Sequence, residues 1–443
     1  MKTESSRHVT PEKVLDQVRQ NFGVDRAVIY NDDQFRVGNE AERVVATPGS
    51  AGELAELLRL ASSEAWRVVP AGSGTWLGVG NPGHGFDLIV STLRLNQVLE
   101  YEPADLTATV GAGLALSSFN ALAGTHGQWI PLDPFGAPES TIGATISTAS
   151  YGPLRGGFGT PRDWLIGIQV AQIDGRLTRA GGKVVKNVAG YDLCKLYTGS
   201  YGTLAIITEM NFKLRSLAPT EKTLVFYAAQ AGELAALAGR LQQAALQPAA
   251  MELLTPSGLA GLPLEAAVSA LAIRFMHEAE AVESQIAEAQ RIGADCQSTV
   301  LSESDATAFW SRYHQSETDQ RWTTTLRLSF LPANLAGVLA SAITELPGAE
   351  VRAHAANGVL RILLPAAESE NPENKDTIDR LHRLRKTLEG AGGRLVITRA
   401  AAGLHERIDV WGDPGGNGPL MLAIKNQYDP RRLLNPDRFV NGI

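Results

Sequence analysis

The spacing of hydrophobic positions divides the chain into a first part of short, mixed elements and a second part of alternating strands and helices. Apolar residues recur at helical intervals over residues 11–22, and again after Ser50, whose spacing to Glu53 is that of a capping box. Residues 67–70 have the composition of a short strand and lead directly into the glycine-rich segment 71–78. The pattern therefore predicts helix, strand and then a glycine-rich loop.

Short elements continue to about residue 218. The dipeptide Asp174-Gly175 between two apolar runs is typical of a hairpin turn. The predicted strands are residues 87–92, 107–110, 128–132, 164–173, 176–180 and 204–214, and the predicted helices are residues 117–123 and 191–197.

The pattern changes at Lys222 to longer, alternating strands and helices. Six segments, at residues 223–227, 232–245, 251–254, 271–275, 278–292 and 297–301, predict a ferredoxin-like β-α-β-β-α-β series. Similar segments follow to about residue 389, and the sequence shows no internal repeat. We therefore predict an α+β fold with more than one domain.

Glycine is concentrated in the first half of the chain. The sequence has 44 glycines, and 23 of them lie in the 131 residues from Gly72 to Gly202. From Tyr101 to Thr160 there are ten glycines but only five charged residues in 60 positions. Because glycine permits positive φ and close approach of the backbone, this composition suits either a tightly packed β-domain or a segment wrapped around a large, buried ligand.

Charge and cysteine content argue against several classes of protein. The 40 Lys and Arg against 47 Asp and Glu give a net charge of −7 without a basic segment, so nucleic acid is not an expected partner. Cys194 and Cys296 are too few for a disulfide framework, or for an iron–sulfur cluster held by this chain alone. The polar N-terminus predicts no signal peptide, and the most apolar later stretch is too interrupted for a membrane span.

Two short motifs match functional patterns without the required context. Gly78-x-Gly80-x-x-Gly83 has the spacing of a dinucleotide-binding fingerprint, but Asn81-Pro82 breaks the helix that this motif requires. His405-Glu406 lacks the second histidine of a zinc helix. We predict neither a Rossmann fold nor a bound metal ion.

The segment 70–76 is a candidate anion site. Its small residues between a strand and the next element would allow several backbone N–H groups to point inward and form a nest for a diphosphate. A plain glycine-rich turn is the alternative.

Further segments follow this loop in a set order. They are residues 131–134, 140–148, 152–163, 186–193 and 199–209, with 429–439 at the C-terminus. Together they resemble the FAD-binding domain of the vanillyl-alcohol oxidase/p-cresol methylhydroxylase (PCMH) flavoprotein superfamily. Within it, residues 182–193 and 199–204 are most similar to the FAD-binding subunits of bacterial glycolate oxidase (glycolate dehydrogenase).

The resemblance implies a four-part organisation. An N-terminal helical extension at 1–39 precedes a two-subdomain PCMH-type FAD-binding domain at 40–218. An α+β, ferredoxin-like cap for the substrate occupies 219–395, and the C-terminal segment 396–443 packs back on the FAD domain.

The resemblance also implies which residues bind FAD. It assigns three groups of residues to the diphosphate, the flavin and the adenosine half of the cofactor. The residues expected to hold the diphosphate are Gly72, Ser73, Gly74 and Thr75, flanked by Trp76 and Leu77. Those expected along the diphosphate and the flavin are Ser140, Thr141 and Gly143, followed beside the flavin by Thr148, Ala149, Ser150 and Gly152. Those expected along the adenosine are Gly202, Thr203, Leu204 and Ile206.

Two departures from the family limit the chemistry that can be assigned. The first loop has Thr75 and Trp76 where covalent members use His or Cys, so we predict noncovalent FAD. The family's histidine-flanked Gly-Asp-Gly-Asn element has only the look-alike 412–418 here, which we interpret as a turn. His405, Tyr191, Lys186 and Arg399 carry suitable groups for proton transfer, but no catalytic residue is assigned.

The resemblance therefore implies the FAD-binding subunit of a glycolate (2-hydroxyacid) dehydrogenase complex. It would work beside a homologous catalytic flavin subunit and an iron–sulfur subunit, in the cytoplasm, with contact to the inner membrane only through partners. Two alternatives remain open: a self-sufficient FAD-dependent enzyme for a small hydroxy acid or alcohol, and a non-catalytic scaffold subunit.

Overall fold

The computed structural model describes residues 9–30, 34–37, 42–136, 140–182, 191–259, 262–264, 268–315, 321–365, 375–401, 403–404 and 407–443. Sheets and helices alternate along this part of the chain, so the predicted α+β class is confirmed. None of the helices described there is long and apolar enough to cross a membrane.

The first sheet joins the N-terminal segment to the glycine-rich part. Its strand order is β1-β2-β4-β3, and Ser50 caps α2 by accepting a hydrogen bond from the Glu53 N–H (3.1 Å), as the sequence predicts. The N-terminal segment was expected to be helical, but it also supplies β1, which pairs antiparallel with β2. The elements are α1 (Pro11–Phe22), β1 (Ala27–Tyr30), β2 (Arg43–Ala46), α2 (Ala51–Glu64), β3 (Val68–Ala71) and β4 (Leu88–Ser91).

A second sheet, in the order β5-β6-β10-β8-β9, forms the other subdomain of the first part. The short strands β7 and β11 pair with each other. Its elements are β5 (Val98–Glu102), β6 (Thr107–Gly111), α3 (Leu116–Gly124), β7 (Gln128–Trp129), α4 (Ile142–Thr148), α5 (Arg155–Phe158), α6 (Pro161–Trp164), β8 (Leu165–Ala171), β9 (Leu177–Gly181), α7 (Leu193–Tyr197), β10 (Ile206–Lys213) and β11 (Arg215–Ser216).

The cap is an antiparallel sheet of eight described strands, in the order β15-β12-β14-β13-β17-β18-β16-β19. Two helices, α10 and α13, lie outside the repeating series of strands and helices. The elements are β12 (Thr220–Ala228), α8 (Ala231–Gln243), β13 (Ala250–Leu254), β14 (Ser269–His277), α9 (Ala279–Ile292), β15 (Gln297–Val300), α10 (Glu303–Gln315), β16 (Trp322–Ser329), α11 (Leu335–Glu345), β17 (Glu350–His354), β18 (Val359–Pro365), α12 (Lys375–Gly390), β19 (Arg394–Arg399) and α13 (Gly418–Tyr428).

The cap contains the same unit twice. Cap unit 1 (β12–β15) has the ferredoxin-like order predicted from the sequence, and cap unit 2 (β16–β19) repeats that order in reverse across the sheet. The two units join edge to edge through β13 and β17, where Leu253 lies opposite Ala353. The expectation of no internal repeat was therefore wrong, because the repeat lies in topology and not in sequence. β19 also crosses the expected boundary at residue 395.

The two faces of the cap sheet have different neighbours. Apolar residues of α8, α9, α11 and α12, such as Leu234, Val282 and Leu384, form one large core with one face of the sheet. On the other face, α10 packs its aromatic side chains over cap unit 1, together with Phe135 of the first part of the chain. Cap unit 2 has no such helix among the described residues, and its face meets the first part of the chain.

A buried ion pair fixes the C-terminal tail to the first part of the chain. Lys425 Nζ donates to Asp429 Oδ2 (2.7 Å) and to the carbonyls of Thr203 and Leu434 (both 2.8 Å), and both charged side chains are fully buried. The tail then forms a parallel bridge to Val68 in β3. These contacts hold the tail against β3 and the segment before β10.

Lys425→Met should destabilise the protein strongly, because it leaves the Asp429 carboxylate buried without its cation. We expect a loss of about 3–5 kcal/mol in the free energy of unfolding, measured by urea denaturation. Lys195→Met is the matched control, since Lys195 pairs with Asp192 on the surface and its loss should cost about 1 kcal/mol or less. Equal losses in the two variants would contradict a stabilising role for the buried pair.

Candidate functional site

A cavity of about 680 Å³ lies between the loop after β3, helix α4, strand β10 and the C-terminal tail. Its lining residues are small, apolar or hydroxyl-bearing, and Arg438 is the one charged residue among those described. The cavity therefore suits a large ligand that is mostly neutral and flat.

The loop after β3 brings backbone donors to this cavity. The N–H groups of residues 73–76 donate to no acceptor within the described part of the chain. Gly74 has a φ of +95°, and a Cβ there would lie 2.1 Å from the Gln34 carbonyl oxygen, so only glycine fits. The Trp76 indole N–H donates to Ser140 Oγ (3.0 Å) and ties the loop to the segment before α4. Free backbone N–H groups beside a cavity form a nest for an anionic group.

The structure brings many of the predicted cofactor residues to this cavity, although they come from three distant segments. Those that line it are Gly72, Gly74, Thr75, Trp76, Leu77, Gly143, Thr148, Gly202 and Ile206.

The other predicted residues lie next to the cavity lining, and several of them hold the backbone of the lining segments. Thr141 is fully buried and caps α4 by accepting from the Ala144 N–H (3.2 Å), while the Gly152 N–H donates to Asp133 (3.2 Å). Thr203 donates to the Ser200 carbonyl (2.7 Å). Their contact with a cofactor stays a prediction, as it does for the rest of this group: Ser73, Ser140, Ala149, Ser150 and Leu204.

Sequence reasoning missed several residues that line the cavity, including Ala144, Ser147, Tyr201, Asn435 and Arg438. Tyr201 lay inside a quoted motif, but nothing in the sequence shows that its φ is +53°, a conformation rare for a non-glycine residue. Asn435 holds that conformation by donating to the Tyr201 carbonyl (2.7 Å). Burial raises the pKa of the Tyr201 phenol, and the positive charge of Arg327 of the cap opposes that shift.

Arg438 lines the cavity, but its guanidinium mainly binds backbone carbonyls of the loop. Its guanidinium donates to the carbonyls of Leu77, Val79 (2.8 Å) and Asn81 (3.3 Å). Burial lowers the pKa of this guanidinium to about 10, so it stays charged at neutral pH. Gly80 and Gly83 of the 78–83 motif pack against this arginine, and no helix follows them before β4, so the Rossmann fingerprint is a false match as predicted.

Two of the four residues with suitable groups for proton transfer are described, and neither is among the residues that line the cavity. Tyr191 is 94% exposed and Arg399 is exposed on the edge strand β19, while Lys186 and His405 lie outside the described residues. The 412–418 look-alike contains a turn, in which Asp413 accepts from the Gly415 N–H (2.8 Å). Among the described residues, no cluster of His, Cys, Asp or Glu could hold a metal ion.

A buried polar cluster lies where the cap meets the first part of the chain. Asp133 accepts from the Leu154 N–H (2.9 Å) and lies 3.6 Å from His314 Nε2 of α10. Burial raises the pKa of Asp133 to about 8 and lowers the pKa of His314 to about 3, so both are mainly neutral at pH 7. Next to them, Glu252 accepts from the Tyr313 hydroxyl (2.6 Å) and contacts His354 Nδ1 (2.8 Å).

Comparison with known proteins agrees with this geometry. An FAD binding domain family matches residues 43–181, the part that carries the nest and most of the cavity. Residues 43–181 are an FAD-binding domain. The FAD-binding domain and the cap together have the fold of p-cresol methylhydroxylase, with a TM-score of 0.75, 15% identity and 96% of each chain covered.

Several relatives by sequence are named as oxidases or dehydrogenases of hydroxy acids. The chain is 36% identical over 209 residues to glycolate oxidase subunit GlcD of Bacillus subtilis, covering 46% of this chain and 44% of the relative. It is 35% identical over 163 residues to glycolate oxidase subunit GlcE of Escherichia coli (36% and 46%), and thus spans less than half of either subunit. It is 28% identical over 436 residues to D-2-hydroxyglutarate dehydrogenase of Xanthomonas citri, covering 92% and 91%. This protein is an FAD-dependent oxidoreductase.

The residues of the site fit FAD. The diphosphate carries negative charge, which the free N–H groups of residues 73–76 can neutralise without a basic side chain. The flavin and adenine rings need flat, uncharged surroundings, which Ala144, Ala205 and Ile206 supply. Among the described residues that line the cavity, none is a His or Cys that could form a covalent bond to the ring.

Ala144→Phe should lower the flavin content of the purified protein at least tenfold. Ala144 is half-buried on α4 and lines the cavity, so a phenyl group there occupies ligand space without removing a core contact. Ala121→Phe, on the exposed face of α3, adds the same group away from the cavity and should leave flavin content unchanged. The ratio of absorbance at 450 nm to 280 nm measures both, and full flavin content in Ala144→Phe would contradict the assignment.

Thermal stability should fall as the pH rises from 6.5 to 8, and Asp133→Asn should remove much of that fall. In this range the unfolded Asp133 is ionised while the folded one keeps its proton, because burial raises its pKa to about 8. His314 adds nothing there, since its lowered pKa costs stability only when the pH falls below about 6.5. Melting temperatures of both proteins from pH 6.5 to 9 measure the effect, and parallel curves would show that Asp133 is ionised in the folded protein.

Proposed function

We propose that this chain is the FAD-binding subunit of a 2-hydroxyacid dehydrogenase complex of the glycolate oxidase type, with noncovalent FAD. The observation that carries the proposal is that the chain matches two differently named glycolate oxidase subunits at 35–36% identity. Its partners would be a homologous catalytic flavin subunit and an iron–sulfur subunit. In this proposal the chain works in the cytoplasm and reaches the inner membrane only through those partners.

The chain's own residues would bind the cofactor and close the site above it. Bound FAD accepts the hydrogen and the electron pair that leave a 2-hydroxy acid as it becomes a 2-oxo acid. The loop 73–76 and helix α4 hold one side of the cavity, and Tyr201 with Arg327 connects it to cap unit 2. The cap face thus shields the reaction from water.

Electrons would have to leave through a partner subunit. Cys194 is buried and Cys296 is half-buried on the cap, and two separate thiols cannot hold an iron–sulfur cluster. Burial raises the pKa of the Cys194 thiol to about 11, which makes it a poor ligand and a poor nucleophile.

A self-sufficient 2-hydroxyacid dehydrogenase is the second candidate. It is favoured by the match to D-2-hydroxyglutarate dehydrogenase, which extends over nine-tenths of both chains and includes the cap. The two candidates share the cofactor site and differ in whether the chain is reduced by substrate without partners.

The test is reduction of the bound flavin by substrate under anaerobic conditions. The purified chain should be yellow, and acid precipitation should release the flavin into the supernatant because the bond is noncovalent. Glycolate, D-lactate and D-2-hydroxyglutarate are then added, and the loss of absorbance at 450 nm is followed. Reduction of the chain within seconds would favour the self-sufficient enzyme, whereas reduction that needs co-purified subunits would support the complex. A colourless chain that still assembles with the subunits would indicate a scaffold.

A further inference from the structure

Three arginines lie side by side across the face of cap unit 2 that meets the FAD-binding domain. Arg361 of β18 is directly opposite Arg352 of β17 on one side and Arg327 of β16 on the other. Residues opposite each other in an antiparallel sheet lie on the same face, and like charges there destabilise the sheet. The presence of each arginine in this row therefore requires an explanation.

Arg352 has a structural explanation. It is fully buried and forms an ion pair with Glu350 of the same strand. It also donates to the Tyr313 carbonyl (3.1 Å) and lies 4.7 Å from the centre of the Tyr313 ring. This cation is neutralised within the cap and helps to hold α10.

Arg327 has no such neutralising partner. In the part of the chain that the structure describes, no carboxylate pairs with it, and its buried Nε has no hydrogen-bond acceptor. Its neighbours are two tyrosines of the FAD-binding domain: the Tyr201 phenol, whose raised pKa the charge of Arg327 opposes, and the Tyr151 ring at 6.0 Å. Because Tyr201 lines the FAD cavity, Arg327 extends from the cap to the edge of that cavity.

Arg361 adds a second positive charge at the same place. Its guanidinium lies over the face of the Phe135 ring at 4.4 Å, and the residue is only 6% exposed. Phe135 belongs to the FAD-binding domain and precedes Gly136, which adjoins Thr75 and Trp76 of the cofactor loop. Two arginines of neighbouring strands thus meet the FAD-binding domain close to the cavity.

The repeated unit of the cap supplies an internal comparison. The two cap units are related by a two-fold axis that passes between Leu253 and Ala353. When the strand registers are followed outward from this axis, Ala272 of cap unit 1 corresponds to Arg361 of cap unit 2. In the same way, Val225 corresponds to Arg327. Ala272 and Val225 are fully buried beneath α10. These two positions are therefore apolar in cap unit 1, where a helix covers the sheet. In cap unit 2, where the sheet faces the FAD cavity, the corresponding positions are arginines. Sheet stability alone does not require arginine at these positions.

We propose that Arg327, with Arg361 beside it, binds the carboxylate of the substrate at the edge of the FAD cavity. This inference rests on the proposed function and specifies which group of a 2-hydroxy acid the cap recognises. A guanidinium can hold a carboxylate through two parallel hydrogen bonds, which fixes the orientation of the carbon next to it. The buried and unpaired Nε of Arg327 is one donor available for this purpose. The site thus selects small carboxylic acids over neutral alcohols.

The experiment measures binding of oxalate and oxidation of the substrate in matched variants of the full chain. Oxalate has two carboxylates and no hydrogen to lose, so it reports anion binding through a change in the visible spectrum of oxidised flavin. Arg327→Gln should weaken oxalate binding, and raise KM for the 2-hydroxy acid, by about 10- to 100-fold. Arg327→Lys should recover part of both because it restores the charge. Arg291→Gln removes an exposed arginine of α9, on the opposite side of the cap, and should behave as wild type.

The outcomes separate this inference from the proposed function. If a 2-hydroxy acid reduces the flavin with an unchanged KM in Arg327→Gln, the function stands and the role of Arg327 is wrong. If no 2-hydroxy acid reduces the wild type, either alone or with its co-purified subunits, but oxalate binds and Arg327→Gln abolishes its binding, the anion site stands and the function is wrong. Failure of oxalate to perturb the wild-type flavin would overturn the carboxylate site itself. Flavin content is checked in each variant, since its loss in Arg327→Gln together with Arg327→Lys would show that Arg327 only fastens the cap.

Discussion

The hydrogen bonds of Lys425 hold together three segments on which the cofactor cavity depends. The ammonium group has three protons, and each finds an acceptor: one on Asp429, one on the segment before β10 and one on the C-terminal tail. The tail is thereby held beside β3, where Asn435 and Arg438 fix the Tyr201 backbone and the loop after residue 76. Charged groups buried at this depth are stable only when every donor and acceptor is paired. The geometry of the cavity therefore follows from one ion pair that does not face it.

Much of this fold could be predicted from the sequence, because short-range signals determine it. The capping box at Ser50, the glycine-rich loop after β3 and the first ferredoxin-like unit all rest on patterns within a few residues. The roles of individual hydroxyl residues could not be predicted: Thr141 and Thr148 belong to one small helix, yet one caps it and the other lines the cavity. For the tail, the sequence predicted only that it returns to the first domain. The hydrogen bond from Arg438 to the Leu77 carbonyl could not be predicted, because more than 350 residues separate the two.

The cap shows how one fold unit can take two roles. In cap unit 1, Val225 and Ala272 are covered by the aromatic residues of α10, so this half is closed to any ligand. In cap unit 2, the corresponding positions are arginines that face the FAD-binding domain. Polar residues at the border between the halves, Glu252 and His354, contact each other across the junction through Oε1 and Nδ1 (2.8 Å). Sequence patterns did not reveal the repeat, because the residues that differ between the units are those that face different neighbours.

The junction of β13 and β17 has a further consequence for the cap. Each unit taken alone would present one of these strands as an open sheet edge, with a row of unpaired backbone groups that favour aggregation. Pairing the two edges within one chain removes that hazard and leaves only β15 and β19 at the margins of the described sheet. Neither half of the cap can therefore be lost or exchanged separately without creating a surface that adheres to other chains. The two units therefore form a single continuous sheet.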